Sequence, residues 1–182
     1  MSIFAAVMTG QGVGAISSIQ VFGKEAEYII KKIDPMVILD LGCGSGAYGQ
    51  VLKTENPELE IIGVDGCFKY LTSVFCLKSY SARIHMDIVD FLNSSIEVKQ
   101  DLTLCMDVIE HFEKDEAWGL LENLPTPLII STPLYDYPQG TVEGNPLEEH
   151  KCFFTEDELI SLGFDKLYSY TYDEGDIGAF IR

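Results

Sequence analysis

Val37-Ile38-Leu39-Asp40-Leu41-Gly42-Cys43-Gly44-Ser45-Gly46 is the stretch on which the fold turns. Val37 to Leu39 is a short apolar run, the pattern of a buried parallel strand. An acid follows it, and glycine then stands at every second position, 42, 44 and 46. Ala47-Tyr48-Gly49-Gln50-Val51-Leu52-Lys53 comes next and reads as the start of a helix. Strand, glycine turn and helix together make a nucleotide-cofactor site. Glycine lets backbone approach a ligand, and a helix start offers free N–H groups and a positive dipole end. The glycines alone leave two cofactor classes open. Gly42-x-Gly44-x-x-Ala47 fits the dinucleotide fingerprint, which allows Gly or Ala in its last place. Asp40, two residues before the first glycine, favours the other class. A carboxylate there repels a pyrophosphate and suits a cofactor that carries an ammonium and a sulfonium.

The chain has 182 residues, enough for one domain with a real core and too few for a cofactor domain plus a substrate domain. With 47% hydrophobic and 23% charged residues it should fold rather than stay disordered. A formal charge of −17 argues against a broad phosphate-binding face, so nucleic acid is not an expected partner, while a cationic cofactor is electrostatically welcome. Cys43, Cys67, Cys76, Cys105 and Cys152 form no CxxC pair, which points to reduced thiols in a cytoplasmic protein. The first 23 residues carry no charged side chain, but they lack a basic start and are broken by Gly10, Gly12 and Gly14. No membrane segment is expected there.

Residues 37–46 resemble motif I of the class I S-adenosylmethionine (SAM)-dependent methyltransferases, where the form is often LDLGCGSG. Later segments agree with that family in order and spacing. The resemblance covers residues 25–182, and its specific motifs lie within 37–111. It implies a Rossmann-like α/β fold: a seven-stranded, mostly parallel sheet with helices on both faces and an antiparallel last strand. Residues 1–182 would form a single methyltransferase domain, with 1–23 as an N-terminal extension. Asp40, Gly42, Cys43, Gly44 and Gly46 would bind SAM. Residues 60–65 read as the second strand, and Asp65 lies 19 residues after Gly46. A carboxylate at such a strand end can accept both ribose hydroxyls, and Gly66 and Cys67 would line the same turn. Residues 68–79 read as one helix, with Phe68, Leu71, Val74 and Phe75 packed on the sheet. Residues 82–87 read as the third strand. The resemblance implies that Asp87 accepts the adenine amino group and that Ile88 covers the ring. His85 is read as structural. Residues 101–107 read as the fourth strand, with Asp107 and Val108 completing the cofactor site.

Open parallel sheets bind ligands at the C-terminal ends of their strands, near the point where strand order reverses. Asp107-Val108-Ile109-Glu110-His111-Phe112 should therefore face the methyl group. This segment looks like the post-motif region of small-molecule O-methyltransferases such as those of ubiquinone synthesis. The Asn/Asp-Pro-Pro-Tyr/Phe signature of exocyclic-amine nucleic-acid methyltransferases is absent. The expected reaction is in-line transfer of a methyl group to a small-molecule or sugar hydroxyl. His111, placed there and near-neutral in intrinsic pKa, is the expected proton acceptor, with Glu110 beside it as the second catalytic residue. A capping or packing role for His111 stays open. Asp107-x-x-Glu110-His111 with the later His150 also resembles the small-RNA 3′-terminal 2′-O-methyltransferases, which hold a divalent metal with a Glu-x-x-Glu-His and a downstream His. Asp107 stands where that pattern has its first Glu, and metal-free relatives carry the same Glu-His pair, so no metal is expected. A non-catalytic SAM-binding protein and an NAD-binding module are the remaining alternatives.

Residues 113–124 read as a helix carrying Trp118 at a packed edge, and 127–133 as a strand stopped by Pro133. Residues 134–152 are irregular and contain Tyr135 and Tyr137, the composition of a substrate lid. Thr155 and Glu158 form a capping box opening a helix that Gly163 ends. Residues 165–172 and 177–181 read as a terminal hairpin. At the other end, 2–8 and 15–22 look strand-like and 24–33 helical. Residues 3–26 resemble the start of the folate-binding domain of tRNA-modifying GTPases, but no GTPase motif follows. That segment is read as an extension on the sheet or a contact in a homodimer.

Overall fold

The computed structural model describes residues 31–172 and 175–182. Seven strands form one sheet: β1 (Val37–Leu41), β2 (Glu60–Asp65), β3 (Ala82–His85), β4 (Leu102–Met106), β5 (Leu128–Pro133), β6 (Asp165–Tyr172) and β7 (Gly175–Ile181). Their order is β3-β2-β1-β4-β5-β7-β6. The first five run parallel. β7 lies antiparallel between β5 and β6. This is the Rossmann-like arrangement expected from the sequence, and strand order reverses between β1 and β4.

The helices are α1 (Ala47–Glu55), α2 (Phe68–Leu71), α3 (Val74–Ser79), α4 (Ile88–Asn93), α5 (Lys114–Asn123) and α6 (Glu156–Ser161). They cover both faces of the sheet. Because strand side chains alternate, Ile38 faces one side, with Leu52 of α1, Cys76 of α3 and Tyr80. Leu39 and Leu41 face the other, with Phe91 of α4, Leu120 and Leu121 of α5 and Leu159 of α6. Asp40 has the parity of Ile38, which turns its carboxylate toward Tyr80. Trp118 is partly buried and stacks on Phe154 at 6.1 Å between ring centroids. The capping box is present: the Glu158 N–H donates to the Thr155 hydroxyl, and the Thr155 N–H donates to the Glu158 carboxylate.

Two readings need correction. The helix expected over 68–79 is two short helices, because Ser73 takes an extended backbone and its hydroxyl caps a new start by accepting from the Cys76 N–H. Two of its four proposed core residues are exposed, Phe68 at 63% and Val74 at 53%; Leu71, Cys76 and Ser79 are the buried residues of the segment. The third strand ends at His85, and Asp87 instead caps α4. The strands expected at 2–8 and 15–22, and most of the helix at 24–33, lie outside the described residues; 31–33 are helical. Among the described residues no helix is long and apolar enough to cross a membrane.

Candidate active site

The glycine turn is folded back onto β2. The Gly42 and Cys43 N–H groups both donate to the Val64 carbonyl, at 2.8 and 3.1 Å. The Gly44 N–H donates to Asp65 Oδ2 at 2.8 Å, and the Cys67 N–H donates to Oδ1 of the same carboxylate at 2.7 Å. Asp65 thus ties the turn after β1 to the turn after β2. Gly44 sits at φ +52, and a Cβ there would meet nothing within 4 Å. That open cradle at the start of α1 is the feature a ligand's polar end requires. Gly46 precedes α1 at φ +88 and provides no side-chain cap, so the helix presents its first N–H groups to the cradle. Val108, at the end of β4, packs against Gly42.

Three carboxyls at these strand ends sit above their usual range. Asp40 is 1% exposed. Burial pushes it up to about 7, opposed by a 2.5 Å hydrogen bond from the Tyr80 hydroxyl and reinforced by the charge of Asp65. Burial also raises Asp65, although two backbone N–H groups and His85 favour its charged form. Glu110, 1% exposed, is raised well above the ordinary glutamate value by burial and by Asp107. Among the described residues no lysine or arginine forms an ion pair with any of the three. Each would be relieved by a positive charge brought in from outside.

At the end of β4, Asp107 holds a left-handed backbone at φ 55, a strained conformation for a non-glycine residue. Its carboxylate accepts from the Ser131 hydroxyl at 2.7 Å and from the Tyr48 hydroxyl at 3.3 Å. The next turn is a 3₁₀ helix, Ile109–His111. It brings Glu110 under Thr132, whose hydroxyl donates to Glu110 Oε2 at 3.1 Å. Lys151 and Cys152 donate their N–H groups to the Glu110 carbonyl, at 2.8 and 3.2 Å. Those two bonds draw residues 149–152 against the turn and set His150 beside His111, with ring centroids 4.9 Å apart. Glu110, His111 and His150 each offer a ligand atom, all within 4.8 Å of one another. The His150 Nδ1 lies 2.8 Å from the Tyr137 carbonyl, and the His111 Nδ1 lies 3.3 Å from that of Glu149. Burial and the neighbouring His150 lower His111 to about 4, well below the near-neutral value expected from its residue type. His150 is lowered as well, chiefly by burial. Both imidazoles are neutral at pH 7.

The sequence-derived cofactor residues fall into two groups, apart from Glu110 and His111, which meet at His150. Asp40, Gly42, Cys43, Gly44, Gly46, Asp65, Gly66, Cys67, Asp107 and Val108 converge on the strand ends around the β1–β4 reversal. Asp87 and Ile88 stand at the start of α4 beside β3. Ile88 is buried, and Asp87 is exposed with its Oδ1 accepting from the Val89 N–H at 2.8 Å. Tyr80, Tyr48, Ser131 and Thr132 join the site through contacts between distant elements, and nothing in their local sequence marks them.

No protein-family model and no curated protein matches this sequence. Solved structures do match. The methyltransferase domain of bacterial CtHen1 is 19% identical with a TM-score of 0.60, covering 91% of this chain and 100% of that one. The plantazolicin methyltransferase BpumL, in complex with a monoazolic desmethylPZN analog and S-adenosylhomocysteine (SAH), is 16% identical with a TM-score of 0.64, covering 92% of this chain and 85% of that one. Magnesium protoporphyrin IX methyltransferase (ChlM) from Synechocystis PCC 6803, with bound SAM, is 17% identical with a TM-score of 0.57, covering 95% and 86%. The fold is that of the class I SAM-dependent methyltransferases.

Proposed function

We propose that the protein is a SAM-dependent methyltransferase that transfers a methyl group to a hydroxyl of a small molecule or sugar. The observation that carries this reading is the Asp65 carboxylate closing the glycine turn, with two further raised acids, Asp40 and Glu110, that no lysine or arginine pairs among the described residues. Such a cleft favours a cationic ligand over a pyrophosphate, which counts against NAD. SAM supplies a methyl group on a positively charged sulfur. Gly42, Cys43, Gly44 and Gly46 would hold its amino-acid end by backbone. Asp65, with Gly66 and Cys67, would take the ribose, and Asp87 and Ile88 the adenine. Asp107 and Val108 would sit between cofactor and acceptor.

On the acceptor side, Glu110, His111 and His150 form one polar cluster, the glutamate buried and the two histidines half-buried, with Tyr137 edge-on to His150 at 5.6 Å. The neutral imidazoles are hydrogen-bond acceptors for an incoming hydroxyl, and the backbone bond at each Nδ1 fixes the ring. His111 is the weaker base of the usual histidine range, so its contribution is orientation as much as proton removal. Positioning of this kind contributes up to about 7–11 kcal/mol in the best model reactions.

The proximity of Glu110, His111 and His150 favours a second reading, in which the same three residues hold a divalent cation. Two neutral imidazoles and a carboxyl are a donor set that fits a borderline transition metal. A cation there would polarise the acceptor oxygen. Calorimetric titration with SAM and SAH, with and without Mn²⁺, tests both. Micromolar binding of SAM and SAH, unaffected by metal, is the result expected of the plain methyltransferase. A separate metal isotherm lost in His150→Ala selects the metal reading. No binding of either nucleoside refutes the cofactor assignment.

A further inference from the structure

Residues 142–149 lie against the turn that follows β2. Val142 and Asn145 form a bridge closed by the left-handed pair Glu143 (φ 51) and Gly144 (φ 78). The Asn145 side chain accepts from the Leu147 N–H at 3.1 Å and starts the 3₁₀ turn Pro146–Glu148. Gln139 braces the segment from below, donating to the Glu148 carbonyl at 2.8 Å and accepting from the His150 N–H at 2.9 Å. Three contacts then fasten it to α2 and its approach. Lys69 Nζ meets Glu143 Oε2 at 2.5 Å. The Tyr70 hydroxyl stands near enough to the Glu148 carboxylate to favour its charged form. Leu147 Cδ1 lies 2.7 Å from the point where a Cβ on Gly66 would stand. The segment and α2 wall an open cleft of about 270 Å³, lined by Cys67, Lys69, Tyr70 and residues 143–146. Glu148 is close enough to Asp65 for the two charges to repel.

We propose that residues 142–149 are a clasp that completes the cofactor pocket, with Leu147 as its apolar wall over Gly66 and Glu148 as a second carboxylate beside Asp65. The proposal rests on the SAM-binding reading. Residue 66 follows the ribose-facing acid directly, and glycine there supplies no side chain to the pocket. Leu147 fills that place from the opposite side, and a Cβ at residue 66 would displace its Cδ1. Leu147 is 46% exposed in this structure, so apolar surface is available for a planar ligand to cover. The ion pair is a latch of little strength, since its side chains are 71% and 66% exposed. Leu147 and Glu148 therefore decide how long a nucleoside stays. The clasp and the acceptor-side histidine share one segment, because His150 follows it directly.

The test uses SAH and the full chain. SAH dissociation is measured by stopped-flow displacement for the parent, Leu147→Ala, Gly66→Ala and the double variant, and backbone hydrogen exchange of 142–149 is followed with and without SAH. Leu147→Ala is expected to speed dissociation about fivefold to tenfold, from the loss of a half-buried isobutyl group. Gly66→Ala pushes Leu147 away and gives a similar effect, and the double variant is no worse than either single one, as for residues acting through one contact. SAH is expected to slow exchange in 142–149. Additive effects, unchanged dissociation in Leu147→Ala, or SAH-independent exchange in this segment while the glycine turn is protected overturns the clasp and leaves the methyltransferase reading standing. A parent protein that binds no SAH overturns both.

Discussion

Replacing Asp40 with Asn should stabilise the protein at pH 8 and leave it unchanged at pH 4. Asp40 is held at about 7 in the fold against an ordinary value of 3.8, with burial as the main cause. That is about three pH units, and at about 1.36 kcal/mol per unit the buried charge costs about 4 kcal/mol. The carboxyl is 1% exposed, so solvent screening does not reduce the figure much. The sign follows from proton counting. Between pH 4 and 7 the folded state keeps a proton that the unfolded chain releases, so stability falls as pH rises through that window. Below it both states are protonated, and above it both are ionised and the full cost applies. Asn keeps an oxygen to accept from the Tyr80 hydroxyl, now at 2.5 Å from Asp40 Oδ2, and cannot ionise. Urea unfolding of both proteins across pH 4–8 gives the difference directly, and the comparison cancels other titrating groups. The gap should open from near zero to as much as about 4 kcal/mol in favour of Asp40→Asn. The same variant should bind SAM at least about tenfold more weakly, since a carboxylate kept at such a cost is retained for a cation. A gap that stays flat with pH, or a variant less stable at pH 8, would show that the charge is accommodated without penalty and would refute the reasoning.

Asp65→Ala should weaken SAM binding at least about tenfold. The bonds to the Gly44 and Cys67 N–H groups mean that it should also cost stability, at most about 1–3 kcal/mol for each half-buried N–H left without a partner. Asp65→Asn, which keeps one acceptor, should retain more stability while still losing binding; equal stability of Ala and parent in urea would remove Asp65 from the turn. Gly46→Ala should lower the melting temperature by roughly 5–15 °C, since residue 46 sits at φ +88 and a Cβ would lie 2.7 Å from the Cys76 backbone nitrogen. A shift below about 2 °C in a thermal scan would mean that the turn relaxes freely.

Local pattern writes the strands, turns and caps of this chain. Val37 to Leu41 is apolar enough to be a strand only if buried on both faces, and the glycines after it leave no regular structure but a turn. A parallel sheet then follows from strands separated by helices, and its site from the reversal of order. The acids at 40, 65 and 107 could be placed because each stands within one residue of its strand's C-terminal end. The capping box at Thr155 needed only residues three apart. Tertiary structure decided the rest. Tyr80 meets Asp40 across 40 residues of chain, and no periodicity announces such a contact. The 68–79 segment breaks because the Ser73 hydroxyl outcompetes helix continuation, which apolar spacing does not register. His150 lies in a stretch without period, and it joins Glu110 and His111 only because two backbone N–H groups, those of Lys151 and Cys152, find the Glu110 carbonyl. The lowered basicity of His111 is likewise a property of its burial and of a neighbour 39 positions away, not of its residue type. Strand ends and turns are fixed by interactions within a few residues, while the groups that tune the site are set by packing between elements that the sequence keeps apart.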